Sequence, residues 1–561
     1  MNNKPENILV CVAWPYVNGE PHLGHIAGNN LPADIFARFH RMIGNNVLMV
    51  SGSDQHGTPV TIRAKEENTT PKKIAEKYHK VWSDTFKELD FSFDLYTKTG
   101  TDNHKETVQN LFNSLNKNGF LEEKYSEQPY SEKSEMFLSD RYIEGDCPHC
   151  PSRTKGDQCD DCGKDFEPID LKNLISTIDN SEVTFKSTKH IYLKLPEFQE
   201  KLDEWIKSKT YWRSAVKNQS LGFLSNGLID RAITRDIDWG VKVPIDGYED
   251  KRIYVWFEAV IGYLSASIEW SKSKNNKDQK KDIWKEWWIN PDSKHFYFQG
   301  KDNIPFHTII LPAILIGSGN YNLPYDVVAN EYLNFSGRQF SKSKNWAVWV
   351  SDFLKEYDSE ALRYYLSSIM PESSDSDFTW ESFFDSNNNE LVATFGNLVN
   401  RIQSLIKNNF DNIVPETENL DDVDNKMLLD IKNSFESAGD FLEKRQFRNS
   451  LKEIMNLAKL GNRYIDHKEP WATVKTDRQI AANTLWVGAN IISNLGVLFS
   501  PFLPKTSVKI SGMFSFETNA PEWKYRKFET GVKIENISPL FKKSPSNVIY
   551  NVRKMNLNLS P

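Results

Sequence analysis

Two histidines three residues apart, His22 and His25, stand in the stretch WPYVNGEPHLGHIAGN, which follows the first apolar run of the chain. On a helix, residues three apart share a face, so both imidazoles can reach one ligand. A zinc-protease helix would carry its histidines four apart with a glutamate beside the first, and no third ligand stands nearby. Capping or core histidines are the plainer reading. The surroundings favour an anion: a helix that starts just beyond a strand offers free N–H groups and the positive end of its dipole. Gly24 would let a ligand approach the backbone closely, and Pro21 suits a first helical turn. The pair is therefore expected to hold phosphate oxygens.

The cysteines form a second constellation. Cys147 and Cys150 make one Cys-x-x-Cys pair, and Cys159 and Cys162 make another after an eight-residue gap. Two such pairs can place four thiolates tetrahedrally round one zinc ion; redox pairs are the alternative. Gly156 and Gly163 suit the tight turns of such knuckles. Four thiolates leave no coordination position for water or substrate, so the expected Zn2+ is structural, one per chain. Cys11, in the first apolar run, is expected to be a buried apolar residue.

The elements that must position these residues follow from periodicity. NILVCVAW, from Asn7, is a short β-branched run bounded by turn residues and reads as a buried parallel strand. HIAGNNLPADIFARFHRMIG then carries helical spacing that breaks or restarts at Pro32, and NNVLMVSGSDQHG repeats the strand and its loop. Strand, turn, helix, strand is the opening of a doubly wound α/β fold. From about Leu121 to Asp230 the chain turns polar, with short mixed strands, and reads as an insertion. Beyond it RIYVWFEAVIGYLSAS (Arg252 to Ser267) and HFYFQGKDNIPFHTIILPAILIG (His295 to Gly317) restore the strand–helix pattern. SKSKNNKDQKK, from Ser271, and GRQFSKSKN, from Gly337, read as surface loops. The final third is helical: Leu428, Ile431, Phe435, Ala438 and Leu442 fall at one helical spacing, and Leu451, Ile454, Ala458 and Ile465 at another. The acidic stretch PETENLDDVDNK separates the first helix of this region from the rest, and the segment from about Gly531 reads as a tail that packs back on the body.

Bulk properties bound the function. A chain of 561 residues is too long for one domain. Its net charge of −7 does not advertise a nucleic-acid partner, so any such surface must be a local basic face. The longest apolar run, IILPAILIG, has about half of the roughly 20 residues a spanning helix needs. The N-terminus lacks the cleavage site of a secretion signal, and clustered cysteines suit a reducing compartment. A cytoplasmic protein with no membrane partner is expected.

HLGH resembles the signature of class I aminoacyl-tRNA synthetases known as HIGH, with leucine for isoleucine. QFSKS, Gln339 to Ser343, resembles its partner signature KMSKS and stands where that signature should, after the second half of the nucleotide fold. Gln339 replaces the first lysine and Phe340 the methionine; Lys342 is kept, and Lys344 can partly replace the lost charge. Read alone, FSKSKN is a solvated loop. Within the class, AWPYVNGEPHLGH, SDQHGTPV, YVWFEAVIGY, the cysteine-bearing insertion and EPWATVK (Glu469 to Lys475) resemble the methionyl-tRNA synthetases, over nearly the whole chain to about Pro504. Trp14 stands where many members have leucine, and Val260 where many have proline.

The resemblance implies an α/β fold: a doubly wound, Rossmann-like parallel-sheet catalytic domain with a zinc-knuckle insertion, followed by an α-helical anticodon-binding domain. The implied boundaries are 1–120 and 231–330 for the two catalytic halves, 121–230 for the insertion, and 331–390 for a linker with the QFSKS loop. The helical domain would span 391–530 and the tail 531–561. The implied activity is that of a methionine–tRNA ligase. ATP, accompanied by Mg2+, and L-methionine give methionyl-adenylate and pyrophosphate; methionine then passes to the terminal adenosine of initiator and elongator tRNA(Met). His22, His25 and Lys342 would be catalytic and, with Arg235, Gly300 and Asp302, would bind ATP. Asp54 would pair with the substrate ammonium, while Tyr16, Trp256, Ala259, Tyr263 and His307 surround the side chain. An aromatic pocket suits a polarizable thioether; core packing is the plainer reading of Trp256 and Tyr263. Trp471 would stack an anticodon base, with Asn397 and Arg401 as polar readers; packing at a helix start is its plainer reading. The alternatives are another class I synthetase for an apolar amino acid, which usually carries a larger editing insertion, and a non-catalytic tRNA-binding relative, against which the retained His22, His25, Asp54 and Lys342 speak. The working unit is expected to be a monomer.

Overall fold

Short β-branched runs with no polar alternation form strands only where both faces of the sheet are covered. In the computed structural model, which describes residues 4–138, 142–155, 159, 162, 166, 168–273, 282–341, 346–514, 521–535 and 538–544, five such runs meet. β1 (Asn7–Val12), β2 (Asn46–Ser53), β3 (Leu95–Lys98), β4 (Lys294–Gly300) and β5 (Asp326–Asn330) form one sheet in the order β5-β4-β1-β2-β3. Every neighbouring pair is parallel. The chain winds outward from β1 to β3 and then returns on the other side through β4 and β5, so the order reverses between β1 and β4. In such sheets ligands bind outside the carboxyl ends of the strands at that reversal. Alternation along β1 feeds two cores: Ile8, Val10 and Val12 join one, Leu9 and Cys11 the other. Cys11 is buried, as its setting implied.

One face is covered by α1 (Leu31–Met42), the other by α2 (Asp102–Lys117), α3 (Val255–Lys272) and α4 (Leu311–Ser318). The helix is not broken at Pro32 but restarts there. One α turn, Leu23–His25, runs into a π-helical stretch, Ile26–Asn30, and then directly into α1, with Pro32 in its first turn. The same device recurs at Phe306–Ile310, a π stretch just before α4 and Pro312. Proline lacks an N–H and crowds the carbonyl four residues back; a wide turn placed there absorbs both defects, and such turns favour functional sites. Ser271 and Lys272 belong to α3, so the loop expected from Ser271 starts later; its residues 274–281 lie outside the described ones.

The insertion is antiparallel. Its long strands Leu121–Ser131 and Thr184–Leu193 pair along most of their length, and a small sheet of Ile143–Asp146, Arg153–Lys155 and Lys172–Ser176 frames the cysteines. The last third is helical: α5 (Ser359–Ser368), α6 (Asn397–Asn409), α7 (Asp422–Glu443), α8 (Phe447–Lys468), α9 (Pro470–Thr476) and α10 (Arg478–Leu498). The acidic stretch is not all linker: Asp421 caps α7 in a box with Asp424. α10 is the central rod, with every residue from Ala481 to Gly496 buried. The tail does pack back, Leu540 being buried and the Phe541 ring 5.8 Å from that of Phe395. No helix among the described residues is long and apolar enough to cross a membrane.

One buried guanidinium joins these layers. Arg363 of α5, 0% exposed, donates to Asp34 Oδ2 on α1 at 2.7 Å and to the carbonyls of Leu89 (3.1 Å), Pro501 (3.0 Å) and Phe502 (2.8 Å). Burial opposes the Asp34 charge, but Arg38, Arg363 and Ser92 outweigh it and hold the pKa down to about 2.

Candidate active site

His22 caps the turn Leu23–His25 with an extended backbone. Its own N–H donates to Nδ1 of His25 at 3.1 Å. A neutral His25 that accepts at Nδ1 carries its proton on Nε2, which makes that nitrogen a donor. The two ring centroids are 3.7 Å apart, so the two imidazoles lie side by side. Two expectations are corrected. Pro21 lies before the cap rather than in the first turn, and its carbonyl accepts from the Val350 N–H at 3.0 Å. Gly24 does not open the backbone to a ligand: a Cβ there would stand 3.0 Å from the His22 ring and 3.3 Å from Phe340. Its bareness makes room for a stack in which the His22 and Phe340 rings lie 4.7 Å apart with planes 3° from parallel.

That stack carries the second signature to the first. The Leu23 N–H also donates to the Val348 carbonyl at 3.1 Å, so the segment after the loop runs along the histidine turn. Ser341 and Trp346 exchange two backbone bonds of 2.9 Å and close the loop at its base. Lys342, Ser343 and Lys344 themselves lie outside the described residues.

The residues expected to enclose methionine gather near the ends of β1, β2 and β4. Asp54, just past β2, is buried and pairs by its backbone with Tyr16. The Trp256 indole donates to the Tyr16 hydroxyl at 2.7 Å. Trp256, Ala259 and Tyr263 are three and four residues apart on α3 and so share its face. The Tyr263 hydroxyl lies 2.7 Å from Nε2 of His307, whose Nδ1 lies 2.9 Å from the Asn303 carbonyl. A carbonyl can only accept, so His307 holds its proton on Nδ1 and Tyr263 donates to Nε2. Burial keeps this imidazole neutral, its pKa pushed down to about 4. Trp14 fills a slot between two glycines: a Cβ on Gly52 would come within 2.6 Å of its indole, and one on Gly262 within 2.8 Å. Val260 is buried in the core beneath.

Burial pushes Asp54 up to about 8; Glu258 adds to that shift and His56 opposes it. His56 Nδ1 lies 2.6 Å from Glu258 Oε1, and the His56 N–H donates to Asp54 Oδ1 at 3.2 Å. No spacing in the sequence joins His56 to Glu258, which are 202 residues apart; the only signal was that both stand inside stretches already singled out, SDQHGTPV and YVWFEAVIGY.

Gly300 ends β4 and caps the 3-10 turn Lys301–Asn303, where Asp302 accepts from the Tyr332 hydroxyl. Arg235 donates to the carbonyls of Ala232 and Thr234, both at 3.0 Å, and lies 3.8 Å over the Tyr254 ring.

The ligand atoms of Cys147, Cys150, Cys159 and Cys162 all lie within 4.8 Å of one another. The pairs Cys147–Cys162 and Cys150–Cys159 are 3.9 and 3.6 Å apart at sulfur. Four sulfurs about 2.3 Å from one tetrahedral zinc stand about 3.8 Å apart, so the cluster fits such an ion; a disulfide would need about 2.05 Å. The His149 N–H donates to Cys147 Sγ at 3.3 Å, as a thiolate favours. Gly156 and Gly163 lie outside the described residues.

In the helical third, Asn397 is exposed at the start of α6 and Arg401 follows one turn later. Arg401 pairs with Asp466 at 2.6 Å and lies 5.3 Å over the ring of Trp471. Trp471, second in α9, is 40% exposed.

Residues 8–403 match the family described as tRNA synthetases class I (M), and residues 414–547 the anticodon binding domain of methionyl tRNA ligase. A methionine–tRNA ligase of Dehalococcoides mccartyi is 48% identical over 554 residues, 97% of this chain and 98% of its own. One from Chloroflexus aggregans is 46% identical over 526 residues, 90% and 87% of the two chains. Among solved structures, Mycobacterium tuberculosis methionyl-tRNA synthetase in complex with methionyl-adenylate superposes with a TM-score of 0.79 at 23% identity, covering 96% of this chain and 100% of that one, a likeness of fold.

Proposed function

The chain belongs to the methionine–tRNA ligases, within the class I tRNA synthetases, and on that premise we propose how its residues divide the reaction. The family's work is to activate methionine with ATP and to charge tRNA with it. Asp54 receives the substrate ammonium, and Tyr16, Trp256, Ala259, Tyr263 and His307 enclose the thioether. His22, His25 and Lys342 hold the phosphates, with Arg235, Gly300 and Asp302 on the nucleotide and Mg2+ arriving with ATP. A carboxylate oxygen of methionine bonds to the α-phosphorus as the bond to pyrophosphate breaks. The carboxylate is ionised already, so alignment and donors placed where charge builds supply the catalysis. A ribose hydroxyl of the tRNA terminus then attacks the carbonyl and AMP leaves. Trp471, with Asn397 and Arg401, reads unpaired anticodon bases, and a structural Zn2+ on the four cysteines holds the knuckle. The reading takes one cytoplasmic chain as the working unit.

The observation that supports it most is the Phe340–His22 stack, which sets Phe340 of the QFSKS signature beside the histidine pair. ATP–pyrophosphate exchange, with amino acids offered one at a time, tests it. Exchange with methionine alone is expected. Exchange with another amino acid overturns the pocket assignment, and none with any, cognate tRNA included, overturns the catalytic reading.

A further inference from the structure

We propose that Glu258 and His56 are positioning residues for the substrate ammonium, a buried imidazolium–carboxylate pair that holds the Asp54 loop and governs whether Asp54 carries its charge. The inference rests on the reading of Asp54 as the ammonium's partner.

Glu258 is 0% exposed on α3, one position before Ala259 and two after Trp256. A buried carboxylate is costly unless paired, and a packed apolar residue would serve stability as well. Its Oε1 is held by His56 Nδ1 at 2.6 Å, while Oε2 has no hydrogen-bond partner among the described residues. The backbone of His56 reaches the other way, its amide N–H donating to Asp54 Oδ1 at 3.2 Å. One histidine therefore stands between two buried carboxylates.

The surroundings set the charge balance. Glu258 and Asp54 raise the His56 pKa, though burial opposes them, as does Lys105 of α2. His104 of α2 is kept neutral, mainly by burial, its pKa pushed down to about 3. Tyr16 meets Asp54 through backbone, and the Trp239 ring lies edge-on to His56 at 5.3 Å. With His56 protonated and both carboxylates ionised, the cluster carries one net negative charge, which one ammonium balances. Empty, it is relieved by a proton on Asp54. Methionine binding at neutral pH therefore expels that proton.

The test is the pH dependence of the methionine KM in ATP–pyrophosphate exchange. In the wild type KM falls as pH rises toward the Asp54 value, up to about tenfold per pH unit, until the substrate ammonium itself titrates. Glu258→Gln keeps the shape and removes the negative charge beside Asp54. Its KM profile should move to lower pH by about a unit, with kcat at saturating methionine moving far less, and Glu258→Asp should restore the wild-type profile. A Glu258→Gln profile that coincides with the wild type, or a Glu258→Asp profile that follows Glu258→Gln, overturns the proposal. Calorimetry of methionine binding to the wild type in two buffers of different ionisation enthalpy needs no variant. Release of close to one proton is expected below the Asp54 pKa, and no release overturns the proposal. Asp54→Asn separates the two readings: if it keeps methionine-dependent exchange, the ammonium assignment fails, whereas its loss beside an unmoved Glu258→Gln profile sinks only the pair's role.

Discussion

Phe340 lies flat on His22, 4.7 Å between ring centroids and 3° between planes. An aromatic pair of this kind contributes about 0.5–1.5 kcal/mol beyond its buried area, and here it tethers one end of a lysine-bearing loop to the histidine pair. Phe340→Ala should slow adenylate formation by about 2- to 13-fold, the loss of that contact, and change methionine binding little. Phe340→Met should retain part of the rate. Lys342→Ala should cost far more than either. Pre-steady-state pyrophosphate exchange measures all three, and a Phe340→Ala rate equal to the wild type would remove the stack from loop placement.

Trp14 and Gly262 are coupled by space. Gly262→Ala would set a Cβ within 2.8 Å of the indole, and overpacking of this kind costs about 1–3 kcal/mol. The variant should melt earlier and bind methionine more weakly. Trp14→Leu in the same chain should restore the melting temperature, because the smaller side chain vacates the slot. Independent, additive effects in the double-mutant cycle would contradict the packing account.

Trp471, exposed beneath the Arg401 guanidinium, should matter to tRNA alone. Stacking of one base is worth about 1–3 kcal/mol, so Trp471→Ala should lower kcat/KM for tRNA charging by about 5- to 150-fold and leave methionine-dependent exchange intact. Equal loss in both assays would point to misfolding.

The four sulfurs should release one zinc per chain to a strong chelator, detected by a colorimetric dye. The knuckle core around Tyr142, Ile143 and Phe166 is small and should lose its structure with the metal, while the parallel sheet, which draws nothing from it, stays folded. Hydrogen exchange confined to the insertion would show this; global exchange would contradict it.

Asp34 titrates at about 2 in the folded chain against an ordinary 3.8. A depressed carboxylate stabilises above the ordinary value and loses that stabilisation as pH falls through the folded one, about 2 kcal/mol in all. Arg363→Met should flatten this acid limb of the stability curve and lower stability at neutral pH by about 3–5 kcal/mol, since a buried pair is broken. Denaturant melts across the acid range read both.

Much of this architecture is legible in the sequence, for reasons specific to each element. β1 and β2 are β-branched runs too short for a helix core, and the four cysteines sit at a spacing that only local geometry can satisfy. Pro32 marks where the helix restarts but not how, because a helix break and a π turn leave the same residue in the same place. Gly24 misleads because a glycine reports that a Cβ is unwelcome without saying what excludes it; here it is a ring from residue 340. His56 and Glu258 carry no local pattern at all, since the contact between them exists only once α3 has docked on the sheet.

The Arg363 junction also bears on the order of synthesis. Asp34 and Leu89 leave the ribosome well before Arg363, but Pro501 and Phe502 follow it by nearly 140 residues, 139 to the last of them. Domains emerging from the ribosome fold as units, N-terminal first. The nascent catalytic sheet therefore carries a guanidinium whose remaining acceptors have not yet been translated, and α1 and α5 complete their bonds to it only when the turn just past α10 arrives. The turn that follows the central rod is thus the last piece of the catalytic layer as well as part of the helical one.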